Sequence, residues 1–324
     1  MTRALITGIA GQDGSYLAEL LLAEGCEVHG IVRPPLERTL ANIEPIRERL
    51  TLHAGDLLDP KTIRAAIELV APDEIYHLAA PTFVPDSWND PATTFEAITG
   101  ATARLLEDVR ELAPATRVLV AGSREMFGDT EESPQNEQTQ CRPNSPYGIA
   151  KLASHELVGV LRERHGLHAS SAILYNHESP RRPVHFVTRR VTRAAAAISL
   201  GLEQELEIGD LDAVRDWSAA VDVMAGLVLI VRNSEPGDFV LSSGVARTVS
   251  ELVQTAFDCA GIEVEGHVRS DPSLVRRREA NPAVGDPSRA AEVLGWRVKT
   301  DFKELIAEMV TADLAALAAA VPPR

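Results

Sequence analysis

Residues 3–33 read RALITGIAGQDGSYLAELLLAEGCEVHGIVR. Arg3–Thr7 is a short apolar run of the length of a buried strand. Gln12–Glu24 spaces Leu17, Leu20, Leu21 and Leu22 as one face of a helix, and Glu27–Val32 is a second strand. Between the first strand and the helix stand Gly8, Gly11 and Gly14. Glycines at this spacing permit a tight turn, close approach of a pyrophosphate to backbone, and close packing of helix on strand. The helix N-terminus then presents unpaired N–H groups and a positive dipole end. A glycine pattern alone is weak, because glycine-rich turns are common; a strand before it and a helix after it make it specific. Gly8, Gly11, Gln12, Asp13 and Gly14 are therefore read as a dinucleotide-cofactor loop.

The same rhythm continues outward. Leu50–Ala54 is strand-like, Lys61–Val70 helical, Glu74–Leu78 strand-like, Thr94–Leu112 helical, Arg117–Ala121 strand-like, Tyr147–His165 helical and Ala169–Tyr175 strand-like. Alternation of β and α at these lengths predicts an α/β fold, a doubly wound parallel sheet covered by helices on both faces. After Tyr175 the rhythm breaks at Pro180, Arg181–Arg182 and Pro183. Residues 1–175 are expected to form the cofactor-binding domain, with about 216–233 returning to it, and 176–324 mainly a smaller substrate lobe. Phe302–Ala320 is an alanine-rich amphipathic helix.

Further positions fall on the carboxyl ends of predicted strands, where open α/β sheets bind ligands. Arg33 follows the second strand, where the adenosine ribose is contacted. An arginine there instead of an acid favours a 2′-phosphate, hence NADP, with NAD possible. Asp56 and Leu57 follow the third strand and suit adenine contact; Leu78, Ala79 and Ala80 close the fourth with small residues that let a cofactor pass. Tyr147 and Lys151 lie four apart on one helical face. An ammonium nearby, together with a positive nicotinamide, is expected to lower the phenol pKa, so that Tyr147 takes a proton from an alcohol as hydride leaves the same carbon. Ser123, just past the fifth strand, is placed to hydrogen-bond the reacting oxygen. Glu125 beside it is unneeded by a simple reductase and suits removal of a carbon-bound proton.

Composition bounds the partners. With 32 Lys+Arg against 47 Asp+Glu the net charge of the 324 residues is −15, which disfavours nucleic acid and anionic membranes. Hydrophobic residues at 45% exclude global disorder. Cys26, Cys141 and Cys259 form no Cys-x-x-Cys pair and no disulfide framework; a reducing compartment fits, and no metal centre is expected. No apolar run has the length of a membrane span and no signal segment opens the chain, so a cytoplasmic location is expected.

The stretches ITGIAGQDGSYLAELL (6–21), SPYGIAKL (145–152), NHESPRR (176–182), FVTRR (186–190), GDLDAVRDW (209–217) and GDPSRAAEVLGW (285–296) together resemble the GDP-mannose 4,6-dehydratase family of extended short-chain dehydrogenases/reductases, over nearly the whole chain. The resemblance implies Ser123 (Thr in the family), Glu125, Tyr147 and Lys151 as catalytic residues. It adds Asn176, His177 and Arg182, with Tyr147 and Lys151, to the cofactor contacts. Thr82, Glu125, Asn176, Arg190 (Lys in the family), Arg215, Arg276 and Glu279 would hold the nucleotide sugar. It further implies conversion of GDP-mannose to GDP-4-keto-6-deoxymannose with internal hydride return, and a homo-oligomer, dimer or tetramer. The chain departs from the family at Pro34-Pro35-Leu36, Pro81-Thr82, Ser123-Arg124-Glu125 (Thr-Ser-Glu in the family), Asn144, Pro183 and Val214. Several of these fall near the expected sugar pocket. They leave open an epimerase or 5,6-dehydratase acting on another sugar nucleotide or on a nucleoside natural product. From a different class, a cofactor-binding regulator without catalysis is also open, although such a protein would be expected to lose Tyr147 or Lys151.

Overall fold

The computed structural model describes residues 1–35, 40–271, 274 and 282–320, and the structural statements below concern these. The first strand β1 (Arg3–Thr7) shows how the core is divided. Ala4 and Ile6 point into one apolar cluster and Leu5 into another, as the two-residue period of a strand requires. The chain continues through α1 (Gln12–Ala23), β2 (Glu27–Val32), β3 (Leu50–Ala54), α2 (Pro60–Val70), β4 (Glu74–His77), α3 (Pro91–Phe95), α4 (Ala101–Leu112), β5 (Arg117–Ala121), α5 (Pro146–His165) and β6 (Ala169–Leu174). These strands pair in parallel in the order β3-β2-β1-β4-β5-β6. The order reverses between β1 and β4, which opens a crevice at their carboxyl ends.

The structure differs from the sequence reading at three places. The predicted strand 169–175 is broken: β6 stops at Leu174, and β7 (Asn176–Glu178) leaves the sheet to pair in parallel with β10 (Trp217–Ala219). The helix expected from Thr94 begins at Pro91. Asp90 caps it by accepting from Thr93 N–H at 3.0 Å, and a π-turn over Glu96–Gly100 joins α3 to α4. Third, β11 (Asp238–Leu241) adds a seventh strand beside β6, recruited from the C-terminal half.

Helix α7 (Ala220–Arg232) lies against α1 on one face of the sheet; Val223, Met224 and Leu227 join Leu17 and Leu21 in one buried cluster. Leu105 and Val109 of α4 and Ile67 of α2 cover the opposite face. A separate core joins α6 (Val187–Ser199), β8 (Leu206–Ile208), α8 (Val249–Ala260) and α10 (Phe302–Ala320) through Val191, Ile208, Leu252, Phe257 and Met309. Short strands β9 (Val214–Arg215), β12 (Arg247–Thr248) and β13 (Val268–Ser270), with helix α9 (Ser288–Leu294), complete the chain. Among the described residues no helix is long and apolar enough to cross a membrane.

Candidate active site

The glycine loop is shaped by contacts that leave no room for side chains. Gly8 has φ +77°, and a Cβ on it would meet the Ala79 backbone at 3.0 Å; a Cβ on Gly14 would lie 2.3 Å from the Gly8 carbonyl oxygen. Gly11 caps α1 with no side-chain hydrogen bond, so the cap leaves the first N–H groups of the helix without a side-chain acceptor. Thr7 Oγ1 accepts from the N–H groups of Leu78 and Ala79, both at 3.1 Å, tying the tail of β4 to β1. Ala80 follows. Arg33 is exposed just past β2, and Asp56 and Leu57 lie just past β3. Asp56 Oδ1 accepts from Leu58 N–H at 2.9 Å within its own turn. These residues line up along the carboxyl edge of β1 to β4. A cradle that a Cβ would fill, at a helix N-terminus, fits the diphosphate of a dinucleotide.

Beside this edge opens a cavity of about 770 Å³. Ser123, Glu125, Tyr147 and Lys151 all line it. Ser123 starts a one-turn helix, Arg124–Met126, its Oγ accepting from Glu125 N–H at 3.2 Å. Ser145 caps α5 by accepting from Gly148 N–H at 3.1 Å, which sets the angle at which Tyr147 and Lys151 enter the site. A Cβ on Gly148 would sit 2.5 Å from the Glu125 carbonyl oxygen, so glycine is what lets α5 press onto the Glu125 turn. Lys151 Nζ donates to Ala121 O at 2.6 Å, and the Ser123 and Tyr147 hydroxyls are hydrogen-bonded.

The electrostatics of the protein alone run opposite to the shift expected with a positive nicotinamide beside Tyr147. Burial pushes the Tyr147 phenol up to about 12, and the Ser123 hydrogen bond only moderates this. Burial pushes Lys151 down to about 8, with the charge of Asp13 opposing. In the protein alone desolvation therefore outweighs the Ser123 hydrogen bond and the charge of Arg182, while the charges of Glu125 and Asp13 add to the rise. Lys151 Nζ lies 5.8 Å from the Tyr147 ring centroid and is committed to a backbone carbonyl.

The far wall comes from β7 and the lobe. Asn176, His177 and Arg182 line the cavity with Asp13. His177 Nε2 and Asp13 Oδ2 are 3.0 Å apart. Burial alone would raise Asp13, but the charge and hydrogen bond of His177 hold it at about 2. His177 in turn is raised, Asp13 outweighing the burial that opposes it. Gln12 is turned toward the same strand: its Nε2 donates to His177 O at 3.0 Å and its Oε1 accepts from Ser179 Oγ at 2.8 Å. Arg182 pairs with buried Glu178 at 3.3 Å and lies over the Phe186 ring at 3.7 Å. Thr82, Arg190 and Arg215 also reach the cavity, Arg190 donating to Glu207 O at 2.6 Å and Arg215 to Val214 O at 2.7 Å. Arg276 and Glu279 lie outside the described residues.

Sequence reasoning missed other parts of this wall. Arg124 Nη2 meets Glu125 Oε1 at 2.6 Å inside the cavity. Phe83 and His185, centroids 4.7 Å apart, come from segments about a hundred residues apart, so no local pattern could pair them. The RDW run divides its labour. Arg215 faces the cavity. Asp216, fully buried, accepts from the N–H groups of Ser243, Gly244 and Gly285, and Trp217 stacks on Phe302. Among the described residues no group of three or more His, Cys, Asp or Glu could hold a metal ion.

A doubly wound sheet with a glycine cradle at its switch point is the fold of the NAD(P)-dependent epimerases and dehydratases. The structure of UDP-glucose 4-epimerase from Thermus thermophilus, a complex with NAD, matches with a TM-score of 0.84 at 27% identity, covering 97% of this chain and 100% of that one. Within this class the chain belongs to the GDP-mannose 4,6 dehydratase family, whose model matches residues 5–309. The GDP-mannose 4,6-dehydratase of Sinorhizobium fredii (strain HH103) is 42% identical over 340 residues, covering 97% of each chain. GDP-mannose 4,6 dehydratase 1 of Arabidopsis thaliana is 39% identical, covering 96% of this chain and 89% of the relative.

Proposed function

We propose that the chain is a nucleotide-sugar 4,6-dehydratase that converts GDP-mannose to GDP-4-keto-6-deoxymannose. The observation that carries this reading is the convergence of Ser123, Glu125, Tyr147 and Lys151 on one cavity beside the glycine cradle. Bound in that cradle, a nicotinamide dinucleotide supplies a positive ring and a hydride acceptor that returns what it takes. Tyr147 takes the proton of the C4 hydroxyl while Ser123 hydrogen-bonds the same oxygen. With its phenol at about 12 in the protein alone, Tyr147 depends for this on positive charge assembled around it, part of it from Lys151, which stays protonated below about 8. Glu125 then removes the C5 proton, acidified by the C4 ketone, and the C6 hydroxyl leaves as water.

Because the whole protein carries −15, the diphosphate must be held by local guanidinium groups, and Arg190, Arg215 and Arg276 are assigned that work. Arg33, exposed at the end of β2, is assigned to the 2′-phosphate of NADP. A cytoplasmic homo-oligomer, dimer or tetramer, completes the reading. The test is incubation with GDP-mannose and either NADP or NAD, followed by mass spectrometry. A product lighter by one water, with no net change in reduced nicotinamide absorbance and faster turnover with NADP, is expected. Stoichiometric accumulation of reduced cofactor would mean a plain dehydrogenase and overturn the reading.

A further inference from the structure

We propose that Arg124 is a positioning residue for Glu125, fixing its carboxylate so that one oxygen is held and the other is presented to the sugar. This rests on the reading of Glu125 as the group that takes the C5 proton. Adjacent residues on a helix do not normally face each other. Here the turn is a single one, begun by Ser123 in extended conformation, and it brings Arg124 Nη2 to 2.6 Å from Glu125 Oε1. Both side chains are largely withdrawn from solvent, at 14% and 20% exposure, and both line the cavity. At such a site a charge-assisted hydrogen bond is stronger and more directional than at an open surface.

The backbone beneath the pair is fixed from two sides. Ser123 Oγ accepts from Glu125 N–H, and α5 packs on the Glu125 carbonyl where only Gly148 fits. With the backbone set, the side-chain torsions are what remain to be restrained, and the guanidinium restrains them through Oε1. Oε2 is then the oxygen that receives the proton. The C5–H bond breaks and its proton passes to Oε2. The electron pair moves toward the C4 ketone and then expels the C6 oxygen, which takes the same proton and departs as water. No further oxidant or reductant is required. Serine has no comparable reach, so replacing Arg124 by serine removes the clamp without altering the backbone turn.

The test compares wild type with Arg124→Ser and Arg124→Lys by single-turnover kinetics on GDP-mannose, with GDP affinity measured alongside. In the Ser variant elimination is expected to slow by about ten- to a hundredfold, the range that loss of fixed geometry produces. Removal of hydride from C4 and the dissociation constant for GDP should stay unchanged. Reduced nicotinamide then accumulates transiently where wild type shows little. The Lys variant should recover part of the rate, since a cation returns without the planar fork. Equal slowing of C4 oxidation and elimination, an unchanged rate, or weakened GDP binding would each overturn the positioning role. Absence of any dehydrated product from wild type would instead remove the underlying reading, and the proposal with it.

Discussion

Replacing Lys151 by Met should stabilise the protein while disabling it. Lys151 is 6% exposed, and burial has brought its pKa from an ordinary 10.5 to about 8. At about 1.36 kcal/mol per tenfold change in protonation, that fall corresponds to roughly 3 kcal/mol of folding free energy spent on keeping the ammonium charged near neutral pH. Met is unbranched, of similar length and uncharged, so it removes this cost. It also strips Ala121 O of the donor now 2.6 Å away, a loss of about 1–3 kcal/mol. The net expectation near neutral pH is a gain of about 0–2 kcal/mol for the variant. The gain must vanish with rising pH. Below about 8 the lysine is protonated in both states and the penalty is complete; between about 8 and 10.5 the unfolded chain binds a proton that the folded chain does not, so wild type gains stability relative to the variant. Urea unfolding of the cofactor-free proteins near neutral pH and near pH 10.5 measures the gap. A variant less stable than wild type at neutral pH, by an amount independent of pH, would refute the claim that desolvation dominates this lysine.

Tyr147→Phe should lower turnover by at least ~10²–10⁴-fold, as loss of an acid–base group does, with the dissociation constant for NADP nearly unchanged; full activity would remove its assigned role. Arg215→Ala should weaken GDP binding by about one to two powers of ten, from roughly 1.5–3 kcal/mol per charged hydrogen bond, and leave guanosine binding unaffected in calorimetry. Gly14→Ala places a methyl 2.3 Å from a carbonyl oxygen that belongs to backbone. Overpacking of about 1–3 kcal/mol should appear as a lower Tm together with weakened cofactor binding, and an unchanged value of both would contradict the cradle geometry.

The parts of the molecule legible in sequence are those set by local rules. Gly8 and Gly14 stand out because their positions exclude a side chain, and Tyr147 and Lys151 because helical spacing alone puts them on one face. The alternation from Arg3 to Leu174 follows from strand and helix periods that each segment carries by itself. Strand β11 is not legible, since the four residues Asp238–Leu241 acquire an identity only from the vacant edge of β6. The π-turn at Glu96–Gly100 answers to packing: Thr99 Oγ1 donates to Ala150 O at 2.9 Å, and Ile98 packs with Tyr147. The direction of the Tyr147 shift escapes a sequence reading because a sequence reveals a neighbouring charge more readily than it reveals depth.

The late recruitment of β11 also has a bearing on synthesis. The edge of β6 is completed only when Asp238–Leu241 arrives, and α1, which packs on β1 and β2 with one side, has its other side covered by α7. Leu241 comes 67 residues after Leu174, a stretch that at ~5–20 residues per second takes a ribosome roughly 3–13 s to add. During that interval a buried-type strand with unpaired N–H and C=O groups, and the side of α1 that α7 later covers, face the surrounding medium. A transcript cut short anywhere in that interval would yield a chain with a permanently sticky flank. The surface most open to mispairing is therefore bare while the second half is being made, and the finished fold conceals it.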